Sequence, residues 1–361
     1  MPKFIPGLKL SERFFQEVVN PLIKTKFPGL KYSAGLIDYG SEVLGFDTEL
    51  STDHHWGPRV LFFISQKDLR LKKQITDFLG RNLPPAFRGY STHFGDPDQI
   101  GVRLLVTAKA GQHINHRVEI QTIGSFFNDY LRIDIENNLT AEDWLILSEQ
   151  RLRTIRSGKI FHDQLGLKQI KNRLHYYPKD IWLYLLASEW SKIAQEEPFV
   201  GRCGEVNDEL GSKVIAARLV QCITKLCFLM EKEYAPYSKW CGTAFSRLNC
   251  AKKLSPILNR VLTSETWRQR EKHLSRAYEI VARMHNDLKI TRPLPTAVSA
   301  FHNRPYLVIH GEIFAIAIKK KIKDPAVKKL PADIGSVNQL TNTVDLLDNN
   351  TMLKRLKVLY R

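Results

Sequence analysis

The spacing of apolar residues changes near Thr140, and that change limits the chain to two kinds of packing in succession. Before it, short apolar runs bounded by turn residues predominate. Tyr32 to Tyr39, Arg59 to Ser65, Val102 to Thr107 and Arg117 to Ile123 read as strands; the last alternates through Val118, Ile120 and Thr122. Two helices join them. One lies over 10–28, with Phe14, Phe15, Val18, Val19, Leu22 and Ile23 on one face, Ser11 as N-cap and Pro28-Gly29 as the break; the other runs from Lys67 to Leu79. After Thr140, a cap followed by Glu142 and Asp143, helical spacing takes over.

In the second part, Pro178-Lys179-Asp180 opens a helix rich in Trp and Leu. Asn207-Asp208-Glu209 opens the next, whose expected apolar face is Leu210, Val214, Ala217, Val220, Thr224, Cys227 and Phe228. Ser264 opens another over 264–288. The expected fold class is therefore α+β. A mixed β-sheet domain with helices spans 1–138, an α-helical bundle domain spans 139–290, and a C-terminal basic extension over 291–361 packs on the helical domain.

With 43% hydrophobic residues, a chain of 361 residues can bury two cores. No apolar run approaches the roughly 20 residues that span a bilayer. The start, MPKFIPGLKL, makes a poor signal peptide, so a cytoplasmic, membrane-free protein is expected. Cys203, Cys222, Cys227, Cys241 and Cys250 are odd in number and form no C-x-x-C pair, which argues against a disulfide framework or a structural zinc site. Charge is uneven. Residues 1–150 carry 17 Lys and Arg against 18 Asp and Glu, whereas residues 151–361 carry 37 against 19. A basic second part suits an anionic partner, a nucleotide or possible nucleic acid, although a solubilising surface explains it equally.

The segment YGSEVLGFDTELSTDHHWGPRVLFFI carries the chemistry. An apolar run ends at Tyr39, and Gly40-Ser41 follows, small enough for a phosphate to approach the backbone. After residues 42–52 comes Asp53-His54-His55, leading into the next apolar run. If extended, Asp53 and His55 share a face, where they can hold a divalent metal against a triphosphate. The plain alternatives are an ordinary turn at Gly40-Ser41 and an aspartate capping its own backbone at Asp53.

This pattern resembles the nucleotidyltransferase superfamily, in which Gly-Ser or Gly-Gly precedes an acid-x-acid pair before a strand. Gly40, Ser41 and Asp53 match it. His55 stands where the second carboxylate belongs, and Glu119 in HRVEIQTI is the best candidate for the third. The wider chain resembles a bacterial family, domain of unknown function 4037, through GSEVLGFDTELSTDHHWG, FHDQLG at 161–166, YYPKDIWLYLLASEW at 176–190, EEPFVGRCGEVNDELGS at 196–212, APYSKWCGTAFSRL at 235–248 and FHNRPYLVIHG at 301–311.

The resemblance implies a nucleotidyltransferase-type domain followed by a helical one. It implies transfer of a nucleoside monophosphate from an NTP substrate to an acceptor of unknown kind, a small molecule, RNA or protein. The metal set is Asp53, His55 and Glu119, holding Mg or Mn; the histidine moves preference away from Mg²⁺ toward Mn²⁺ or Zn²⁺. His55 also reads as the mark of a site that has lost two-metal chemistry, or as packing beside Trp56. Gly40, Ser41, Arg202 and Lys239 are the nucleotide-binding candidates. Asp208, or Glu196 or Glu197, is the candidate to take the acceptor proton, with a helix-opening acid as the plain alternative for Asp208. Asp47 and Glu49 could supply the missing acid, but read more simply as a solvated loop. His162-Asp163 reads as structural.

Overall fold

The computed structural model describes residues 3–53, 55–99, 101–109 and 111–361; His54 and the side chain of Asp53 lie outside the described residues. The fold is mixed α+β. It divides into two compact units, Met1–Asn138 with Arg151–His175, and Leu139–Gln150 with Tyr176–Arg361.

In the first unit a helical run over 7–26 (α1), π-wound at Phe15–Val19, leads to strand β1, Tyr32–Leu36. Helix α2, Ser41–Leu44, strand β2, Arg59–Ile64, helix α3, Lys72–Asn82, strand β3, Arg117–Gln121, and helix α4, Ile123–Leu131, follow in turn. Helix α5, Glu149–Ser157, which belongs to this unit from Arg151 on, then leads to strand β4, Lys159–Asp163, and helix α6, Leu167–Arg173.

The sheet order is β3-β2-β1-β4. β1 is antiparallel to β2 and to β4, with an irregularity between Ala34 and Gly35 on the β4 side, while β2 and β3 run parallel with Leu61 opposite Glu119. Leu10, Phe14, Phe15, Val19 and Ile23 of α1 pack with Val60, Phe62, Ile64, Val118 and Ile120 of the sheet and with Ile75 and Leu79 of α3. Every residue of β2 is buried, which is why its apolar run is continuous rather than alternating.

Three expectations fail here. Ser11, expected as the N-cap, lies inside the helix, which starts at Gly7, and its hydroxyl accepts Arg59 N (3.2 Å). Residues 102–107 form no strand; Leu105 makes a single bridge with Phe94. Residues 159–163, expected inside the helical domain, are instead an edge strand of the sheet. Their polarity is mixed and they are half-exposed, so strand identity comes from pairing with β1 across more than a hundred residues rather than from local pattern.

The second unit is built on helices α7, Lys179–Glu196, α8, Glu209–Met230, α9, Ala251–Thr263, α10, Trp267–Asp287, and α11, Gly311–Lys319. α7 is buried almost all round from Ile181 to Ser191 and packs against α8 and α11. On α8 the buried face is Ser212, Ala216, Leu219, Ile223, Leu226 and Cys227; Leu210 and Val214, expected inside, are 74% and 51% exposed. Ser264 accepts no first-turn N–H; Thr266 caps α10 through Gln269, and the Ser264 hydroxyl bonds back to Arg260.

The chain beyond residue 291 is tied to this unit by buried acceptors. The Glu197 carboxylate accepts the N–H groups of Ile309 (2.6 Å) and Gly311 (3.0 Å). Asn338 donates to Leu147 O and accepts from Glu149 N, and Gln339 donates to Leu185 O and Glu189. Among the described residues no helix is long and apolar enough to cross a membrane.

Candidate functional site

β1 runs toward the end of the sheet at which β2 and β3 begin, so three sequence segments meet there: the turn after β1, the approach to β2 and the start of β3. Gly40 sits in that turn with φ +133°, backbone open to glycine alone. A Cβ there would lie 2.4 Å from Glu42 Oε2. The glycine thus makes room for a carboxylate folding back over its own turn, and half-buried Ser41 opens α2 beside it.

Arg59, the first residue of β2, is buried and organises the site. One guanidinium nitrogen donates to Asp38 Oδ2 (3.3 Å); the other donates to Glu42 Oε1 (2.6 Å) and Tyr39 O (2.8 Å). Both carboxylates are almost wholly enclosed. On β3, Arg117 donates to Glu119 Oε1 (2.8 Å from Nε) and to the Tyr39 hydroxyl (2.7 Å). The Tyr39 ring lies under the Arg59 guanidinium (5.0 Å) and edge-on to His55 (5.8 Å).

Three carboxylates, Asp38, Glu42 and Glu119, therefore face two guanidinium groups, leaving an excess of one negative charge. Burial pushes the Asp38 carboxyl up to about 6; Arg59 opposes that rise, and Glu119 and Glu42 add to it. Asp38 Oδ1 is buried without a hydrogen-bond partner.

Of the residues expected from sequence, Gly40, Ser41, His55 and Glu119 belong to this cluster or touch its members. Asp53 ends the 3-10 turn Glu49–Asp53, and its side chain lies outside the described residues. His55 is not extended: it has φ 55°, and its N–H donates to Arg103 O. The shared-face geometry expected for residues 53 and 55 does not hold at that position. One oxygen of the Asp47 carboxylate is taken up by Gly7 N (2.7 Å) and Trp56 Nε1 (3.1 Å), while Glu49 stays exposed. Among the described residues no three His, Cys, Asp or Glu side chains converge to hold a metal.

The remaining candidates lie in the second unit. Asp208 caps α8, accepting from Gly211 N (2.7 Å). Arg202 is exposed, and exposed Lys239 has its ammonium 5.1 Å from the Trp240 ring. Glu196 pairs with Arg218, and Glu197 holds Ile309 and Gly311. Asp163 accepts from Ser33 and from the first N–H groups of α6, the structural role expected of it.

Sequence reasoning missed Asp38, Tyr39, Glu42, Arg59 and Arg117. An ionisable residue opening an otherwise apolar strand, as Arg59 does before Val60 to Ile64, is the signal that was available: burial beside such a strand requires a partner.

A second feature of the first unit is a cavity of about 490 Å³ lined by Thr76, His93, Asp96, Gln112, His113 and His116, among others. His116 is committed there, one ring nitrogen to Thr76 O and the other to Val118 N, and burial lowers its pKa.

Fold and site together define a mixed α+β protein with a buried acid–arginine network at one sheet end. Residues 144–241 match the family described as Domain of unknown function (DUF4037). No curated protein and no solved structure matches the chain.

Proposed function

We propose that this chain is a metal-dependent nucleotidyltransferase, moving a nucleoside monophosphate from an NTP to an acceptor hydroxyl. The observation that carries the reading is the sheet order. The Gly40-Ser41 turn, the residues approaching β2 and Glu119 of β3 come to one end of one sheet, although they are spread over 80 residues of sequence. In this reading Asp53 and Glu119 would hold a divalent cation, with His55 a further candidate ligand; when bound, the cation would supply charge neutralisation of the triphosphate. Arg117 guides the phosphates, being the guanidinium at the margin of the network and bound to a half-exposed Glu119. Arg59 keeps the Gly40 turn closed over Glu42. The cytoplasm is the expected location.

Incubation with labelled ATP, GTP, CTP and UTP, Mg²⁺ or Mn²⁺ and a cell extract tests transfer through labelled product and released pyrophosphate. Calorimetry tests the site: Asp53→Asn is expected to remove metal-dependent ATP binding and leave the fold intact. Unchanged affinity in the folded variant overturns the assignment.

A second reading, nucleotide binding without transfer, is favoured by the histidine at 55 and by the grip of Arg117 on Glu119. It predicts metal-dependent binding with no pyrophosphate. Restoring the acid with His55→Asp raises Mg²⁺-supported affinity or turnover if position 55 touches the metal.

A further inference from the structure

Helices α9 and α10 are consecutive and pack on each other, each burying an apolar face: Leu254, Leu258 and Val261 on α9, and Leu274, Ala277 and Val281 on α10. Their outer surface is basic. Arg260, Lys272 and Arg276 are exposed, and among the described residues none of the three has a carboxylate partner. Lys272 and Arg276 lie one turn apart on α10, and Arg260 is carried by α9, which packs against that helix. Burial first, then the charges of Arg276, Arg260 and Lys272, hold the His273 pKa below its ordinary value. His273 Nδ1 is enclosed without a hydrogen-bond partner.

Of the nearby acids, Glu265 is exposed at the turn between the helices and Glu271 lies within electrostatic reach of Arg268, while two are engaged by other groups. Glu271 accepts Leu307 N (2.9 Å), and Glu279 pairs with Arg283 (3.9 Å). Arg268, its guanidinium over the Trp267 ring, continues the line: Arg268, Lys272 and Arg276 are spaced by four along α10, covering about 12 Å.

Like charges gathered without counter-charge are costly until an anion arrives, and a line of them on an exposed helix pair suits a repeating anion better than a single one. We propose that the α9–α10 face binds the phosphate backbone of double-helical RNA. Two helices side by side, with axes roughly 8–10 Å apart, make a face too broad for the ~12 Å major groove of B-DNA. The wide, shallow groove and flanking phosphates of A-form RNA accept such a face. A lipid surface would call for an apolar stripe beside the cations. Among the described residues of these two helices, Leu262 is the large apolar side chain that is exposed.

The inference does not depend on nucleotide transfer, and its test reads binding alone. Fluorescence anisotropy of a labelled RNA duplex of about 20 base pairs, titrated with the full chain over a range of salt, is the measurement. The wild type is expected to bind with affinity that falls steeply with salt. The triple variant Arg260→Gln, Lys272→Gln, Arg276→Gln is expected to bind at least tenfold more weakly, with a log–log salt slope smaller by about 2–3. Circular dichroism checks that these surface changes leave the helices intact, and Arg260→Lys with Arg276→Lys should retain most of the binding. NMR titration should show the His273 pKa rising when the duplex is bound, as phosphates offset the neighbouring cations. A triple variant that matches the wild type in affinity and slope overturns the proposal. So does DNA of the same sequence binding as tightly as RNA, or binding to phosphatidylserine vesicles without binding to RNA.

Discussion

Arg59 shows what a single residue decides in this protein. It ties the turn after β1 to the start of β2 by bonding Asp38, Glu42 and the Tyr39 carbonyl from inside the fold. Removing one partner from a buried ion pair leaves uncompensated charge, which costs more than the pair itself contributes. Arg59→Met strands two enclosed carboxylates and is expected to lower stability by about 3–5 kcal/mol, read from urea unfolding at neutral pH. Asp38 gives a pH signature. Its folded pKa, about 6, lies above the ordinary 3.8, so the folded state holds this proton more tightly than the unfolded chain does. Its contribution to stability is therefore full below pH 3.8 and is lost as pH rises toward about 6, by on the order of 2–3 kcal/mol at 1.36 kcal/mol per unit. The difference in stability between wild type and Asp38→Asn, followed from pH 3.5 to 7, should show that fall; a flat difference would mean the carboxyl titrates normally.

At the scale of elements, helix starts are fixed by acceptors both local and remote. Asp208 caps α8 from its own sequence, as do Thr140 and Thr266 for the helices they open. α11 begins differently. No side chain of its N-cap His310 bonds it, and the carboxylate accepting Ile309 and Gly311 N–H comes from Glu197, more than a hundred residues earlier. Gly311 then lets α11 approach α7 closely, since a Cβ there would lie 2.7 Å from the Trp190 carbonyl oxygen. The Trp190 and Phe314 rings stack at 4.2 Å across the same contact. Glu197→Ala removes two buried hydrogen bonds and leaves the Ile309 and Gly311 N–H groups unpaired, which is expected to cost roughly 3 kcal/mol or more. Hydrogen exchange should then rise at 309–314 ahead of the α8 core; equal protection in both would show that α11 is held by packing alone.

For the whole molecule, the two units are not two consecutive stretches of chain. Residues 151–175 complete the first unit, and β4 covers an edge of β1, all five residues of which are buried. A chain ended at residue 138 keeps every motif of the candidate transferase site but exposes that edge. It is expected to unfold without a cooperative transition and to self-associate, by circular dichroism and light scattering. A sharp, monomeric transition would show that β4 is dispensable.

The sequence by itself determined the mixed α+β class, the change of texture at Thr140, the Gly40-Ser41 turn and the Thr140 cap. These depend on local periodicity or on a cap and the few residues it serves, and such information lies within one short window of chain. The tertiary structure alone decided that 159–163 is a strand, which face of α8 is buried and that Gly40 shelters Glu42. It alone gathered Arg59, Asp38, Arg117 and Glu119 at one sheet end, and set α9 with Arg260 against α10 with Lys272 and Arg276. Each of these is a relation between residues brought together by strand register or helix packing. Electrostatic and hydrogen-bond energies depend on those distances through space, which spacing along the chain does not encode.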